Sequence, residues 1–153
     1  ARARAAGGGL QEMLTAADEV RHNMVYFITL DTMVYLAKGG RIGTATKLLT
    51  NVLQIKPLIY VNRETGTVAP SIPARSRKNA INGLVKQFFK HINTDKPLHI
   101  TVLHNAAFEE AKELAERVKQ EFKPKEIFIS IVSPILGVHT GPKAIALCGY
   151  AED

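Results

Sequence analysis

Apolar residues recur with helical spacing in four segments of the chain. Residues 10–24 repeat them at three- and four-residue steps and predict an amphipathic helix. A second helix is predicted over residues 44–54. A third follows Ser76, a preferred N-cap residue, and runs to residue 92. The fourth covers residues 107–122.

Six segments have the β-branched and aromatic content of strands. They are residues 25–30, 56–62, 67–74, 98–103, 126–132 and 144–150. A turn signal at residues 64–66 joins the second and third segments as a hairpin. Pro70 and Pro73 remove hydrogen-bond donors and predict that the third strand lies at a sheet edge. The apolar run within the fifth segment is typical of a buried strand.

Two shorter features complete the prediction. Asp31 is a candidate N-cap for a short helix that ends at Lys38, before Gly39 and Gly40. Residues 133–142 form a loop rich in glycine and proline, with room for one helical turn.

These elements predict one α/β (α+β) domain. A central hairpin, with helices linking other strands, indicates a two-layer sandwich with a mixed sheet of about six strands and helices on one face. Residues 10–153 form this domain, and residues 1–9 are a linker or a frayed helix start. A chain of 153 residues is long enough for one core and short for two domains.

Composition narrows the class of protein. With 46% hydrophobic and 22% charged residues the chain is an ordinary globular mixture. Its apolar runs are far shorter than a membrane span requires, and no apolar segment of a secretory signal follows Arg4. A single cysteine, Cys148, excludes an intrachain disulfide and fits the reducing cytoplasm, where we expect the protein.

The net charge of +6 admits nucleic acid, an anionic membrane or an acidic protein as partner. Nucleic acid is disfavoured because there is no RNP-like, zinc-finger or helix-turn-helix signature and no tryptophan, and only 7% of residues are aromatic. Arg75, Arg77 and Lys78 lie where a strand meets a helix, and an acidic surface or a phosphate would favour them there. A solvated basic face is the plainer alternative.

Two loops could hold an anion. Arg41, in the segment Gly39-Gly40-Arg41-Ile42-Gly43, offers a forked donor for a carboxylate or phosphate, although a solvated arginine in a helix-to-helix turn has the same pattern. In the second loop His139 and Thr140 offer side-chain donors and Gly141 a backbone amide. A rigid turn without a ligand is the alternative there.

Other chemistry has little support in the pattern. The histidines lack metal-ligand spacing with Cys, Asp or Glu, so no metal site is predicted. There is no nucleophile elbow and no carboxylate pair arranged for catalysis, so no catalytic residue is predicted. The pattern alone indicates a two-layer α/β domain with a candidate anion site.

Four motifs in order resemble those of the DegV family, over nearly the whole chain from residue 10 onward. The motifs are residues 32–43, residues 53–58, residues 73–78, and residues 133–142 from Ser133-Pro134 to His139-Thr140-Gly141-Pro142. The resemblance implies a two-layer α/β fold and a bacterial protein that binds a long-chain fatty acid. It implies that this chain is the carboxyl-terminal domain, without the amino-terminal lipid-binding domain.

The resemblance also implies residue roles. Arg41, His139, Thr140 and Gly141 correspond to the loops beside the lipid head group. Arg75, Arg77 and Lys78 correspond to a junction that faces an acidic fatty-acid kinase, to which the domain presents the carboxylate. It implies no cofactor beyond the bound fatty acid and no enzymatic activity.

One position departs from the family, which usually has glycine where this chain has Lys143.

Two alternative functions stay open: a phosphotransfer enzyme subunit related to dihydroxyacetone-kinase-like proteins, and a basic interaction module.

Overall fold

The structure is a computed structural model that describes residues 1–48 and 55–152. Its helices are α1 (Arg2–Ala5), α2 (Leu10–Asn23), α3 (Val34–Lys38), a 3₁₀ helix (Gly43–Leu48), α4 (Arg77–Lys90), α5 (Phe108–Phe122) and α6 (Pro134–Thr140). Its strands are β1 (Val25–Thr29), β2 (Leu58–Val61), β3 (Val68–Pro70), β4 (Leu98–Asn105), β5 (Glu126–Ile131) and β6 (Ala144–Ala151).

The strands form one six-stranded mixed sheet in the order β3-β2-β1-β6-β4-β5. All neighbouring pairs are antiparallel except β4 and β5, which are parallel and are connected through α5. A parallel pair needs such a crossover, whereas the antiparallel β2–β3 hairpin needs only a turn. The α/β class and the mixed sheet predicted from the sequence are confirmed.

Alternate residues of the central strands enter two separate apolar clusters. Phe27 and Leu147 point to one face, where Phe88 of α4 and Leu114 of α5 are buried against them. Their neighbours Ile28 and Ala146 point to the opposite face. There Met33, Leu36 and Ala45, from α3 and the segments beside it, complete a smaller cluster. The two long helices therefore make one layer, and short helices cover part of the other face.

The helix that follows Ser76 is confirmed together with its cap. Ser76 has extended backbone angles, and its hydroxyl accepts a hydrogen bond from the Asn79 amide at 3.2 Å. The hairpin is confirmed by the antiparallel pairing of β2 with β3. The edge position predicted from the prolines is confirmed too, because β3 is an edge strand that contains Pro70. Its pairing continues to a bridge between Lys56 and Ala74.

The predicted cap of the short third helix is wrong. Met33 occupies the N-cap position of α3 and provides no side-chain cap, while the Asp31 carboxylate binds Lys56 Nζ at 2.6 Å. Asp31 therefore forms an ion pair with Lys56, which precedes β2, instead of capping α3. The helix predicted over residues 44–54 begins as the 3₁₀ helix, and its remainder lies outside the described residues.

The expectation of a buried fifth strand is also wrong. β5 is an edge strand, with Phe128 exposed by 58% and Ile131 by 66%. A continuous apolar run resembles a strand that is covered on both faces, but α5 covers only part of one. The predicted helix at residues 10–24 is present as α2, although it buries none of its residues.

Candidate functional site

The two predicted anion-binding loops lie close together at one end of the strands. β4 ends there and β6 begins there, and α6 leads directly into β6. α3, which precedes the Gly39-Gly40-Arg41 turn, packs against α6. Residues that are distant in sequence thus form one candidate site beside the sheet.

The loop predicted at residues 133–142 is mostly the helix α6. Ser133 caps it by accepting a hydrogen bond from the Leu136 amide at 3.3 Å, and Pro134 occupies the first turn. Proline is favoured there because the first amides of a helix have no partner within it. Gly141 ends the helix with φ 71° and ψ 175°, a region of backbone angles that is essentially open only to glycine.

Two glycines make the contact between α3 and α6 possible. A Cβ atom at Gly39 would lie 2.7 Å from Cε1 of His139 and closer still to Nδ1. A Cβ atom at Gly141 would lie 2.6 Å from Cε2 of Tyr35. Each segment therefore contributes a glycine against which the other packs an aromatic ring. This exchange explains in packing terms why both loops contain glycine at these positions.

Two polar atoms of this site are buried without a partner among the residues that the structure describes. They are Thr140 Oγ1, on a residue exposed by only 3%, and Nδ1 of the half-buried His139. A buried polar atom without a hydrogen bond costs about 1–3 kcal/mol. Each atom is therefore a candidate for a partner supplied from outside these residues, although Nδ1 of His139 also packs against Gly39.

Arg41 lies in the turn next to the glycine that contacts His139. Its side chain is exposed, and Nη1 donates to the carbonyl oxygen of Gly39 at 3.1 Å. The guanidinium is thus tethered at one nitrogen, and its remaining donors are available to an anion. Arg41 and His139, predicted from separate motifs, belong to neighbouring parts of one surface.

The expectation of a free amide at Gly141 is wrong. The Gly141 amide donates to the Gly137 carbonyl oxygen at 2.9 Å, and the residue is buried. The amide is used to end α6, so this glycine serves shape and helix termination instead of donating to a ligand.

The basic residues at the start of α4 divide into two kinds. Arg75 and Lys78 are exposed. Arg77 is half-buried, and its Nε donates to Glu110 of α5 at 2.6 Å. Arg77 therefore also connects the two long helices, whereas the other two cations are accessible to a partner.

The Asp31 carboxylate interacts with cations near the start of α4 and near the candidate site. The hydrogen bond from Lys56 holds the pKa of the Asp31 carboxyl below its ordinary value of 3.8, and the positive charges of Lys56, Lys143 and Arg77 act in the same direction. Three cations thus act on this acid, of which Arg77 is also paired with Glu110.

Lys143 occupies a conformation suited to glycine. Its φ is 60°, and its amide donates to the carbonyl oxygen of Asn105 at 2.7 Å. The glycine expected from the resemblance would adopt this φ without strain. The chain tolerates lysine because the side chain is exposed and the backbone is held by that hydrogen bond.

Two residues important to the site geometry were not singled out from the sequence. Tyr35 lies within the motif at residues 32–43, but its contact with Gly141 forms only when the chain folds. Asn105 lies beyond the predicted end of its strand at residue 103, and its amide contacts α6. A polar amide at the end of a buried strand was the available signal.

The rest of the described chain shows little further site chemistry. Within residues 1–48 and 55–152, no group of three or more His, Cys, Asp or Glu side chains is arranged so that it could hold a metal ion. Burial raises the pKa of the Cys148 thiol, which keeps it protonated at neutral pH. No helix in those ranges is both long and apolar enough to cross a bilayer.

Comparison with known proteins gives a consistent result. A family model described as "Uncharacterised protein, DegV family" matches residues 1–152. A DegV domain-containing protein of Clostridium acetobutylicum is 36% identical over 152 residues, which are 99% of this chain and 52% of that protein. The chain thus spans about half the length of the curated relatives it matches.

Solved structures show the same fold. A DegV family protein from Thermus thermophilus, described for fatty acid binding, matches with a TM-score of 0.88 and 22% identity, over 99% of this chain and 54% of its own. A DegV family protein from Eubacterium eligens loaded with heptadecanoic acid matches with a TM-score of 0.83 and 17% identity, over 99% of this chain and 54% of its own. By the match over residues 1–152, this chain belongs to the DegV family.

Proposed function

We propose that the chain binds a long-chain fatty acid and holds its carboxylate at Arg41, His139 and Thr140. The observation that carries this proposal is the pair of buried, unpartnered polar atoms on His139 and Thr140. Solved DegV relatives described as binding fatty acid or loaded with it support the ligand class.

The chemistry of these side chains suits a carboxylate. The Thr140 hydroxyl donates one hydrogen bond, and the imidazole donates one through the nitrogen that carries its proton. Arg41 supplies a permanent positive charge with free N–H groups. Hydrogen bonds to a charged group contribute about 1.5–3 kcal/mol each, so loss of one donor weakens binding measurably.

The apolar part of the ligand has a candidate surface on the sheet face opposite α4 and α5. Thr101, Phe128 and Cys148 line a cleft of about 410 Å³ on this face, which Arg2, His99 and Glu126 also line. The rise along β4 places Thr101 about 13 Å from Asn105 at the site edge. An acyl chain needs only apolar walls, and we propose that it runs along this face.

We propose further that residues 10–153 act as the carboxyl-terminal domain of a two-domain protein, with residues 1–9, which include α1, as a linker or helix start before it. Large apolar side chains surround the site and face solvent, as a surface covered by another domain would. They include Val34, exposed by 48%, Ile135, by 80%, and Val138, by 65%.

In this proposal the chain has no chemistry of its own and presents the carboxylate to a separate, acidic fatty-acid kinase. The exposed cations Arg75 and Lys78 are the contact residues, and Arg77 supports them through its ion pair with Glu110. Complementary charge mainly accelerates such encounters.

Native mass spectrometry tests the ligand. The full polypeptide that the gene encodes is delipidated, offered palmitate and weighed, next to His139→Ala and Arg41→Ala. We expect one bound palmitate in the unmodified protein and about tenfold to hundredfold weaker binding in each variant, since each loses a charge-assisted hydrogen bond.

Exposed residues far from the site provide matched controls. His22→Ala and Arg63→Ala remove the same side-chain types and are expected to leave palmitate binding unchanged. An unmodified protein that takes up no fatty acid would contradict the proposed function. Equal losses in the site and control variants would contradict the residue assignment.

The kinase contact is tested by charge reversal. Arg75→Glu combined with Lys78→Glu is expected to slow phosphorylation of the bound fatty acid by an added fatty-acid kinase about tenfold or more, most strongly at low salt. Lys86→Glu combined with Lys90→Glu, further along α4, is the control. If both pairs behave alike, the contact does not involve the start of α4.

A further inference from the structure

We infer that Asn105 is the positioning residue of the head-group site and sets the orientation of His139 and Thr140. This inference rests on the proposed function. Asn105 is the last residue of β4 and lies at the strand end next to the candidate site. The residues it positions belong to α6.

The side chain of Asn105 binds α6 on both sides of the two proposed ligand-binding residues. Its amide nitrogen donates to the Gly137 carbonyl oxygen at 3.3 Å and to the Gly141 carbonyl oxygen at 2.8 Å. Gly137 precedes His139 by two positions, and Gly141 follows Thr140 directly. The backbone that carries both side chains is therefore held at each end by one amide group.

The backbone of Asn105 adds a third restraint. Its carbonyl oxygen accepts a hydrogen bond from the Lys143 amide at 2.7 Å. One residue thus fixes the last turn of α6 and the entry into β6. The following residue, Ala106, has φ 51°, so the chain turns away from the sheet immediately after these bonds are made.

α6 needs such restraints because it has only seven residues. A helix shorter than about 12 residues is marginal by itself in water. Ser133 stabilises the start of α6. The end of α6 carries the buried Thr140, and the direction of the Thr140 side chain depends on the backbone of Thr140 and Gly141. The contacts of Gly39 and Tyr35 limit how closely α6 approaches α3. The hydrogen bonds of Asn105 determine the position of α6 relative to the end of β4.

Asn105→Asp tests this role with almost no change in shape. The carboxylate cannot donate, and it places negative charge against two carbonyl oxygens. We expect the full polypeptide to bind palmitate about tenfold to hundredfold more weakly, as expected for the loss of both hydrogen bonds that Asn105 donates to α6. We also expect altered ¹⁵N chemical shifts of the His139 ring without added ligand.

The control carries the same chemical change at a harmless place. Asn62 accepts hydrogen bonds from the amides of Glu64 and Thr65 through Oδ1, a role that aspartate retains. Asn62→Asp should preserve both palmitate affinity and the His139 signals. Should Asn105→Asp fail to fold, Asn105→Ala, which removes the donors without adding charge, takes its place.

The readouts separate this inference from the proposed function. An unmodified protein that binds no palmitate overturns the proposed function, and the His139 shifts alone then decide the role of Asn105. Unchanged His139 shifts in a folded Asn105 variant overturn the inference, even where the unfolding midpoint falls. Changed shifts together with weaker palmitate binding support it.

Discussion

Glycine residues control the candidate site at the level of single positions. Gly39 and Gly141 do not contact a ligand in the proposed arrangement; they leave room for His139 and Tyr35. Lys143 shows the same principle in reverse, because a lysine adopts the positive φ that glycine prefers. Backbone space at these positions is therefore as important to the site as the polar donors.

Gly141→Ala should be strongly destabilising. The added methyl group overlaps the Tyr35 ring, and alanine resists the φ of 71°. Overpacking alone typically costs about 1–3 kcal/mol. We expect a lower free energy of unfolding in urea titrations and weaker palmitate binding, because α6 must move away from α3.

Two comparisons divide that cost into its parts. Gly40 also has a positive φ, of 66°, but has no neighbour within 4 Å of an added Cβ atom, so Gly40→Ala shows the cost of a positive φ without a steric part. The ψ of 175° at Gly141 adds a backbone cost of its own. In a Tyr35→Ala background, Gly141→Ala should lose the steric part of its effect. An unchanged loss in that background would show that Tyr35 is not the obstacle.

Helices and strands are held together here by contacts at their ends. At the end of the sheet opposite the candidate site, His99 of β4 lies between two carboxylates. Its Nδ1 is 2.9 Å from Glu126 of β5, and its Nε2 is 3.1 Å from Glu152, which follows β6. Arg2 also binds Glu126, and Lys125 binds Glu152. This cluster adds side-chain contacts to the backbone pairing that already joins the edge strand β5 to β4.

Acid should weaken this cluster. The hydrogen bonds with His99 and then Arg2 hold the pKa of Glu126 below its ordinary value of 4.5. Those with Lys125 and then His99 do the same for Glu152. Because the folded-state pKa values are lowered, the stabilisation is present above about pH 4.5 and is lost as the pH falls through the folded-state values.

Urea unfolding from near-neutral pH to about pH 3 measures this effect. Glu126→Gln combined with Glu152→Gln should be less stable near neutrality and should lose less stability on acidification than the unmodified protein. Glu64→Gln, on the exposed hairpin turn, serves as the control. Equal acid sensitivity in all three proteins would rule out the cluster as its source.

The whole molecule is covered unevenly. α4 and α5 bury one sheet face, whereas the opposite face has a smaller apolar cluster and an open cleft. Exposed apolar side chains surround the candidate site on α3 and α6, and exposed cations lie at the start of α4. This distribution agrees with the proposed role, in which one domain shares its ligand with a second domain and presents it to a partner.

The sequence predicted the candidate site in part. Both candidate anion-binding loops are predicted because glycine, proline and polar side chains cluster in short segments, and these loops lie together in the folded chain. The roles of Asn105 and Tyr35 and the occupied amide of Gly141 could not be predicted. Each depends on which distant segment lies opposite, and no local pattern contains that information.

By itself the sequence determined the order and type of the elements, because periodicity, caps and turn residues act over a few neighbouring positions. The helix after Ser76 and the proline-containing edge strand are examples. Only the tertiary structure decided that β5 is an exposed edge, that Asp31 pairs with Lys56, and that α6 is held between Asn105 and α3. Those outcomes depend on burial and on pairing between distant residues, which are settled when the sheet assembles.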